Sequence, residues 1–351
     1  MASQAITANG SALTSREAGD HAASAARRLG LSGYVACFTG IVWREILRYL
    51  HQRERFFSAL VRPLIWLFIF AAGFRQTLGV SIIPPYESYV LYEEFITPGL
   101  IGMILLFNAM QSSLSMVYDR ETGAMRTLLV SPFPRSFLLL SKLIGGVSVA
   151  LLQVYAFLFV AYFWEITPPP VTEIKLFTMY DPPHWLNGPL LPDGTSAAPW
   201  ITPVTEPIVT SLFSLPHFVQ PFAGYITVIP ALVIAGLMLG ALALFMSSVI
   251  KQLENFAGVM NFVIFPMFFA SSALYPLWRI REASPLLYEI CRLNPFTYAV
   301  ELIRFGFHGQ IDTISLLIVT SCMIGFLGAA VYAYNPSKGL IGRRGGAGSG
   351  A

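Results

Sequence analysis

The chain alternates between long apolar runs and short charged segments, and the apolar runs have the length of membrane spans. A helix needs about 20 mainly apolar residues to cross a hydrocarbon core of about 30 Å. We therefore predict an all-α polytopic membrane protein with six transmembrane helices, in a membrane domain that covers residues 56–343. The predicted spans are residues 57–74, 97–117, 137–163, 222–250, 256–275 and 314–334.

The composition supports this class of protein. Of the 351 residues, 55% are hydrophobic and 12% are charged, whereas about 25% of the residues in a soluble domain are charged. Cys37, Cys291 and Cys322 lie in an N-terminal helix, in a segment between spans and in the last span. No two of these cysteines are natural partners, so the sequence predicts no disulfide framework.

An amphipathic helix is predicted immediately before the first span, over residues 34–55. Trp43 and Leu47 lie on one helical face, while Arg44, Arg48 and Arg55 lie on the other. Such a helix lies in the plane of the membrane interface, where its arginines meet anionic headgroups. A soluble surface helix would show the same pattern in isolation. Residues 1–33, rich in Ala and Ser, are predicted as a disordered cytoplasmic tail, and residues 344–351 as a flexible end.

A charged segment separates the second and third predicted spans. Its charges cannot lie in lipid, because a charge at the bilayer centre costs about 2.5 to 3.5 kcal/mol. Met125, Leu128 and Leu129 recur at helical spacing, and Pro132 ends the pattern. The segment therefore predicts a small amphipathic helix at the membrane surface. The alternative is an ordinary polar loop that rests on the headgroups.

The distribution of basic residues predicts the orientation in the membrane. If the N-terminus is cytoplasmic, fifteen Lys and Arg residues lie on the cytoplasmic side and six on the other side, with Arg62 inside a span. The positive-inside rule then assigns both termini to the cytoplasm, and we expect the membrane to be a bacterial inner membrane. Four arginines between residues 279 and 304 oppose this assignment, but they alternate with Glu282, Glu289 and Glu301, so local pairing softens the conflict.

Two outer segments do not cross the membrane. Residues 165–221 hold twelve of the twenty-four prolines, too many for a long helix, and show too few alternating runs for a sheet. We predict a small irregular cap there, with a flexible loop as the alternative. Residues 276–304 are too short and too charged to span, and are predicted as one or two outer re-entrant helices.

A few polar and small residues stand out within the predicted spans. Gly236 and Gly240 form a G-x-x-x-G step, which lets two helices approach closely. The polar side chains are Asn108, Gln111, Gln153 and Asn261. They are candidates for a substrate path, and the alternative is hydrogen bonding between neighbouring helices.

No catalytic or metal-binding motif is found in the sequence. It contains no G-x-x-x-x-G-K-[ST], H-E-x-x-H or G-x-S-x-G, and no Cys/His cluster. Glu93 and Glu94 precede the second span and are predicted as a solvated carboxylate pair. We therefore predict a non-catalytic protein without a cofactor or metal of its own.

Residues 96–146 resemble the core signature of ABC-2 type permeases, the membrane subunits of ATP-driven exporters. The specific part is D-R-E-x-G at residues 119–123, Leu-Leu-x-Ser-Pro at residues 128–132 and the following Arg135. The Tyr-Pro and Asn-Pro steps within residues 273–304 are similar to the family's outer re-entrant element. The resemblance implies the ABC-2 permease fold. The insert at residues 165–221 departs from the family, which usually has a short turn there.

The resemblance also implies roles and partners. Residues 119–136 would form a coupling helix that docks on a separate nucleotide-binding ATPase subunit, which binds the ATP and Mg. Two permease copies would form the pathway, in contact with membrane lipid and without nucleic acid. The similar branch includes drug-resistance and nodulation-type exporters. A path lined by Phe, Leu and Met with few polar groups favours an amphipathic, lipid-like or lipid-linked substrate. The implied coupling residues are Asp119, Arg120, Glu121, Gly123, Met125, Arg126, Leu128, Leu129, Pro132 and Arg135.

Two other classes of function remain as alternatives. A secondary transporter driven by an ion gradient is expected to carry carboxylates or broken helices at the midplane, and no acidic residue lies inside a predicted span. An integral membrane enzyme would need a polar catalytic cluster, and none stands out in the sequence.

Overall fold

Helices occupy nearly all the positions at which the sequence predicts spans. The structure is a computed structural model, which describes residues 30–74, 85–86, 91–121, 133–164, 166–178, 211–250 and 252–333. The helices are α1 Leu31–His51, α2 Arg53–Phe74, α3 Tyr92–Glu121, α4 Arg135–Tyr162, α5 Gln220–Thr227, α6 Ile229–Val249, α7 Leu253–Phe269, α8 Leu277–Ala283, α9 Pro285–Leu293, α10 Pro295–Phe307 and α11 Thr313–Ala333. The strands are β1 Glu173–Thr178, β2 Ser211–Ser214 and β3 Gln310–Asp312.

Four helical stretches are long and apolar enough to cross a membrane: α3, α4, the continuous α5–α6 pair and α11. α2 and α7 contain shorter apolar stretches, Ala59–Phe70 and Glu254–Phe269. The predicted class of an all-α polytopic membrane protein is confirmed. The number of six spans stays a prediction, because two of the six apolar stretches are short.

α3 lies at the centre of the bundle. It packs against α2, α4, α6, α7 and α10, and the side chains of Ile96, Leu100 and Ile101 are fully buried in the main core. A helix that is apolar on all sides is stable only when other helices or lipid surround it. α11, in contrast, packs mainly on α6 and α10 and exposes Leu317 and Ile324.

Glycines allow the closest helix contacts. A Cβ atom at Gly236 would lie 3.2 Å from Cγ1 of Val147, and one at Gly240 would collide with the Leu143 side chain. Both neighbours belong to α4, so α4 is the helix that the G-x-x-x-G step of α6 contacts.

The amphipathic helix differs from the prediction in its end and in its direction. α1 ends at His51, and Gln52 separates it from α2, so Arg55 belongs to α2. Instead of lying across the end of the bundle, α1 runs alongside α4: the Tyr34 ring is 5.1 Å from the Phe137 ring, and Tyr49 bonds to Gln153. Tyr49 forms a hydrogen bond to Gln153 inside the bundle. The amphipathic pattern of α1 could not predict this contact.

Residues 166–178 and 211–214 correct the prediction of an irregular cap. β1 pairs antiparallel with β2 and parallel with β3, so the sheet order is β2-β1-β3. Gly309, with φ 68°, makes the turn before β3, where any Cβ would lie 2.5 Å from Val171. The sheet was missed because β3 is distant in sequence from β1. Residues 179–210 lie outside the described residues.

The segment predicted to be re-entrant forms three short helices, α8, α9 and α10, where one or two were predicted; its re-entry into the membrane stays a prediction. Ser284 and Asn294 are the N-caps of α9 and α10, where their side-chain oxygens accept hydrogen bonds from Leu287 N and Phe296 N. The Asn294 amide also donates to the carbonyls of Met267 and Ala270, both at 2.7 Å. These bonds fix the segment to the end of α7. Every residue of α10 after Pro295 is buried.

We refer to the two ends of the bundle by what lies there. The charged end is where α3 ends at Glu121 and α4 begins at Arg135, and the sheet end is where β1, β2 and β3 lie.

Candidate functional site

The charged end brackets the segment that the sequence predicts as a coupling helix. Asp119, Arg120 and Glu121 form the last turn of α3, and Arg135 begins α4. The D-R-E part of the motif is therefore continuous with the central helix. The remaining predicted coupling residues lie outside the described residues, so their roles stay a prediction. They are Gly123, Met125, Arg126, Leu128, Leu129 and Pro132.

Three buried polar side chains join α1, α3 and α4. The Tyr49 hydroxyl donates to Gln153 Oε1 at 3.0 Å, and the Asn108 amide donates to the same oxygen and to the Ile104 carbonyl. All three side chains are buried. Hydrogen bonds in apolar surroundings hold helices together because the alternative is an unsatisfied polar group. Asn108 and Gln153 therefore act here as links between helices.

The candidate path residues are only partly brought together. Gln111 and Asn108 line a cavity of about 40 Å³, next to Glu45 and Arg48 of α1. This volume accommodates one or two water molecules. Asn261 lies on an exposed face of α7 and does not line this cavity. A substrate path through these residues stays a prediction.

The arginines of the amphipathic helix face outward. Arg44 is exposed and forms an ion pair with the buried Glu45 at 3.1 Å, and Arg48 is also exposed. Because α1 runs alongside α4, contact of these arginines with lipid headgroups stays a prediction. Arg55 lies in the first turn of α2, and its side chain lies outside the described residues.

A buried ion pair lies in α10. Glu301 and Arg304 are three residues apart, and Arg304 Nη1 donates to Glu301 Oε1. Arg304 Nη2 also donates to the Ser272 carbonyl at 3.1 Å, and the guanidinium lies 4.1 Å from the centre of the Phe95 ring. One side chain thus ties α10 to α3 and to the turn after α7.

The sequence indicated local pairing in this region but not its burial. Glu301 and Arg304 are 4% and 3% exposed. The signal that could have found the buried pair is the pair of opposite charges at helical spacing within the otherwise apolar Pro295–Phe307 helix. Arg292 and Glu289 form a second pair at 3.5 Å, but both are exposed.

A cavity of about 410 Å³ opens at the sheet end. Glu94, Thr97 and Pro98, which share one face of α3, form one wall. Residues of the sheet also line the cavity. These residues are Glu173, Lys175 and Gln310.

The carboxylates of Glu93 and Glu94 are in different environments, contrary to the predicted solvated pair. Glu93 is buried, whereas Glu94 is exposed at the cavity wall. α3 begins at Tyr92, so the two side chains leave its first turn in different directions. Glu93 is buried by packing against residues that are distant in sequence, so the local sequence could not predict its burial.

Aromatic side chains form the base of this cavity. The Tyr86 and His308 rings meet edge to face with centroids 5.0 Å apart. Burial raises the pKa of Tyr86 to about 12, so the phenol is neutral at physiological pH. His308 Nδ1 lies 2.9 Å from the Arg304 carbonyl and must donate, because a carbonyl oxygen only accepts. In the part of the chain that the structure describes, no group of three or more His, Cys, Asp or Glu residues could hold a metal ion.

Long apolar helices packed around a central helix are typical of a polytopic membrane protein. Comparison with family models agrees: the ABC-2 type transporter family matches residues 37–180 and 197–308. The chain belongs to this family and is a transport permease.

Similar proteins carry a name of the same kind. Three relatives are each named "Putative transport permease ycf38". The relative from Cyanophora paradoxa is 27% identical over 138 residues, 38% of this chain and 45% of the relative. Those from Porphyra purpurea and Pyropia yezoensis are each 23% identical over 266 residues, 76% of this chain and 72% of the relative.

Proposed function

We propose that this chain is the transmembrane permease subunit of an ATP-driven exporter, and that a separate nucleotide-binding subunit docks at its charged end. The observation that carries the proposal is the continuity of α3. This helix begins at Tyr92 beside the sheet-end cavity, packs against five other helices and ends at Glu121 within the D-R-E motif. A force applied to the segment after Glu121 would therefore act directly on the helix at the centre of the bundle.

The contacts of α1 support the same proposal. α1 lies beside α4, which leaves the charged segment at Arg135, and the bonds from Tyr49 and Asn108 to Gln153 join α1, α3 and α4. Both helices that flank the segment are thus linked to each other and to α1. Movement of residues 119–136 would be shared among three helices.

The buried carboxylate in α10 gives little support to transport driven by an ion gradient. A proton-carrying carboxylate has to change its charge during the cycle. Glu301 instead lies against Arg304, whose guanidinium favours the ionised carboxylate. We infer a structural role for the pair.

The proposed substrate is amphipathic, lipid-like or lipid-linked and moves outward from the cytoplasm or inner leaflet. Two permease copies are proposed to act together. α2 and α7 support this, because both helices expose large apolar side chains, among them Phe57, Phe68 and Phe262. The two helices contact each other through the rings of Trp66 and Phe269. Lipid or a second copy would cover these side chains.

Partner capture tests the proposal. The tagged full chain is co-expressed with an ATPase that carries the G-x-x-x-x-G-K-[ST] motif, and captured ATPase is measured by vanadate-sensitive ATP hydrolysis. We expect Leu128→Asp to lower capture at least tenfold, because a charge would replace the apolar contact. The matched control is Leu286→Asp, which places the same charge at an exposed leucine of α9. Equal capture by the native chain and Leu128→Asp would contradict the proposal.

A further inference from the structure

The sheet-end cavity has the size of a small-molecule site. Its volume is about 410 Å³, compared with about 20 and 40 Å³ for two cavities nearer the charged end. Ligand pockets in proteins usually measure about 300–1,000 Å³. The two smaller cavities can hold only water.

The cavity lining combines apolar and charged side chains. Three consecutive prolines, Pro168, Pro169 and Pro170, form an apolar wall together with Leu158. Glu94 faces the cavity from α3. Glu173 and Lys175, two residues apart on one strand, face it from the same side of the sheet.

Three charged side chains that line the cavity do not take part in the ion pairs that stabilise the fold. Glu94, Glu173 and Lys175 form no ion pair or side-chain hydrogen bond with any described residue. In their ionised forms, two carboxylates and one ammonium leave an excess of negative charge. Among the buried charges nearby, Glu301 and Arg304 are paired with each other and cancel, while Glu93 adds a further carboxylate.

The backbone contributes a further negative end. α10 ends at Phe307, and Phe307 and His308 both line the cavity. The C-terminal end of a helix carries a partial negative charge and favours cations. The N-terminal end of α3 carries a partial positive charge. Glu93 and Glu94 lie in its first turn, and their carboxylates offset that charge.

We propose that this cavity binds a ligand with a cationic amine, whose positive group lies between Glu94 and Glu173 and whose apolar part lies on the proline wall. The ligand is the transported molecule, so this deepens the proposed function and rests on it for the link to export. Binding itself requires only this chain. Lys175 sets an upper limit to the affinity, because it repels a ligand that carries only positive charge.

Binding of small soluble probes tests the proposal. The full chain in lipid nanodiscs is titrated by calorimetry with benzyltrimethylammonium, benzyl alcohol and phenylacetate, which share a ring and differ in charge. We expect the cation to bind at least tenfold more tightly than the other two probes. Glu94→Gln and Glu173→Gln should each weaken cation binding about fivefold, as expected for one partly screened charge.

Two further variants test the direction of the charge effect and provide a control. Lys175→Gln should tighten binding of the cation about threefold, whereas a general loss of structure would weaken it. Glu254→Gln removes an exposed carboxylate from the first turn of α7, away from the cavity, and should leave binding unchanged. Equal binding of the three probes, weaker binding by Lys175→Gln, or equal losses in Glu254→Gln and Glu173→Gln would overturn the proposal.

The two proposals fail in different ways. Cation binding that responds to Glu94 and Glu173, together with ATPase capture that ignores Leu128→Asp, would contradict the exporter proposal and leave the site standing. Loss of capture in Leu128→Asp, together with no preference for the cation, would contradict only the cationic site.

Discussion

Arg304 is the side chain at which three elements of the bundle meet. Its guanidinium pairs with Glu301 within α10, contacts the Phe95 ring of α3 and donates to the Ser272 carbonyl after α7. Removing one partner of a buried pair leaves the other charge uncompensated, which costs about 3 to 5 kcal/mol. We expect Arg304→Met to lower the free energy of unfolding by this amount, measured by thermal unfolding in detergent.

The exposed pair in α9 is the control for this prediction. Arg292 and Glu289 are about half exposed and 3.5 Å apart, so Arg292→Gln should change the stability by less than about 1 kcal/mol. The double variant Glu301→Gln/Arg304→Met removes both buried charges and should be more stable than Arg304→Met alone. Similar losses in Arg304→Met and Arg292→Gln would show that the buried pair does not anchor α10.

The sequence predicts pairing between Glu301 and Arg304, but it does not predict that the pair is buried. Opposite charges at i and i+3 predict pairing from spacing alone. Burial depends on how α3 and the turn after α7 pack against α10, which is a property of distant residues. The same limit applies to Asn108: its polarity at membrane depth was evident, but its bond to Gln153 required the register of α3 against α4.

At the scale of elements, the contact between α3 and the turn after α7 has no spare room. A Cβ atom at Gly99 would lie 2.6 Å from the Ala273 carbonyl oxygen, and backbone cannot yield as a flexible side chain can. Overpacking costs about 1 to 3 kcal/mol. We expect Gly99→Ala to destabilise the bundle by this amount in thermal unfolding. Gly325→Ala is the control, because no atom lies within 4 Å of its new methyl group, and a loss there equal to that of Gly99→Ala would contradict the prediction.

α1 is attached to the bundle mainly through its second half. Tyr49→Phe removes the hydrogen bond to Gln153, and a buried hydrogen bond contributes about 1 kcal/mol. We expect the amides of α1 to exchange their hydrogens about fivefold faster in this variant, because local opening becomes less costly.

The first half of α1 supplies the matched control. Tyr34 packs edge-on against Phe133 and Phe137, and its hydroxyl makes no hydrogen bond with any residue between 30 and 333 that the structure describes. Tyr34→Phe should therefore leave hydrogen exchange in α1 unchanged. Equal acceleration by both variants would mean that the bond to Gln153 does not hold α1.

Local patterns predicted the apolar helices well and the sheet poorly. Length and apolar content are properties of a continuous segment, so the positions of α3, α4, α6 and α11 followed from the sequence. The strands did not, because β1 is six residues long, contains a register irregularity near Phe177 and obtains one of its partners, β3, from beyond α10. The direction of α1 was missed for a related reason: an amphipathic pattern indicates two faces but not the helix that one of them contacts.

At the scale of the whole molecule, the two ends of the bundle have different chemistry. The charged end carries the D-R-E motif of α3, and the sheet end carries the large cavity. An exporter requires the first end to face the cytosolic ATPase and the second to face outward. The count of basic residues favours that orientation. The exporter proposal, and the link between the cavity and export, both assume it.

Labelling of single cysteines by a membrane-impermeant maleimide in intact cells tests this orientation most directly. Cys37, Cys291 and Cys322 are first replaced by serine or alanine, and one cysteine is introduced at either end, as Ala124→Cys in the charged segment or Ser214→Cys in the exposed β2 strand. We predict that Ser214→Cys is labelled in intact cells and that Ala124→Cys is labelled only after the membrane is permeabilised. The reverse pattern would contradict the assignment of the charged end to the ATPase.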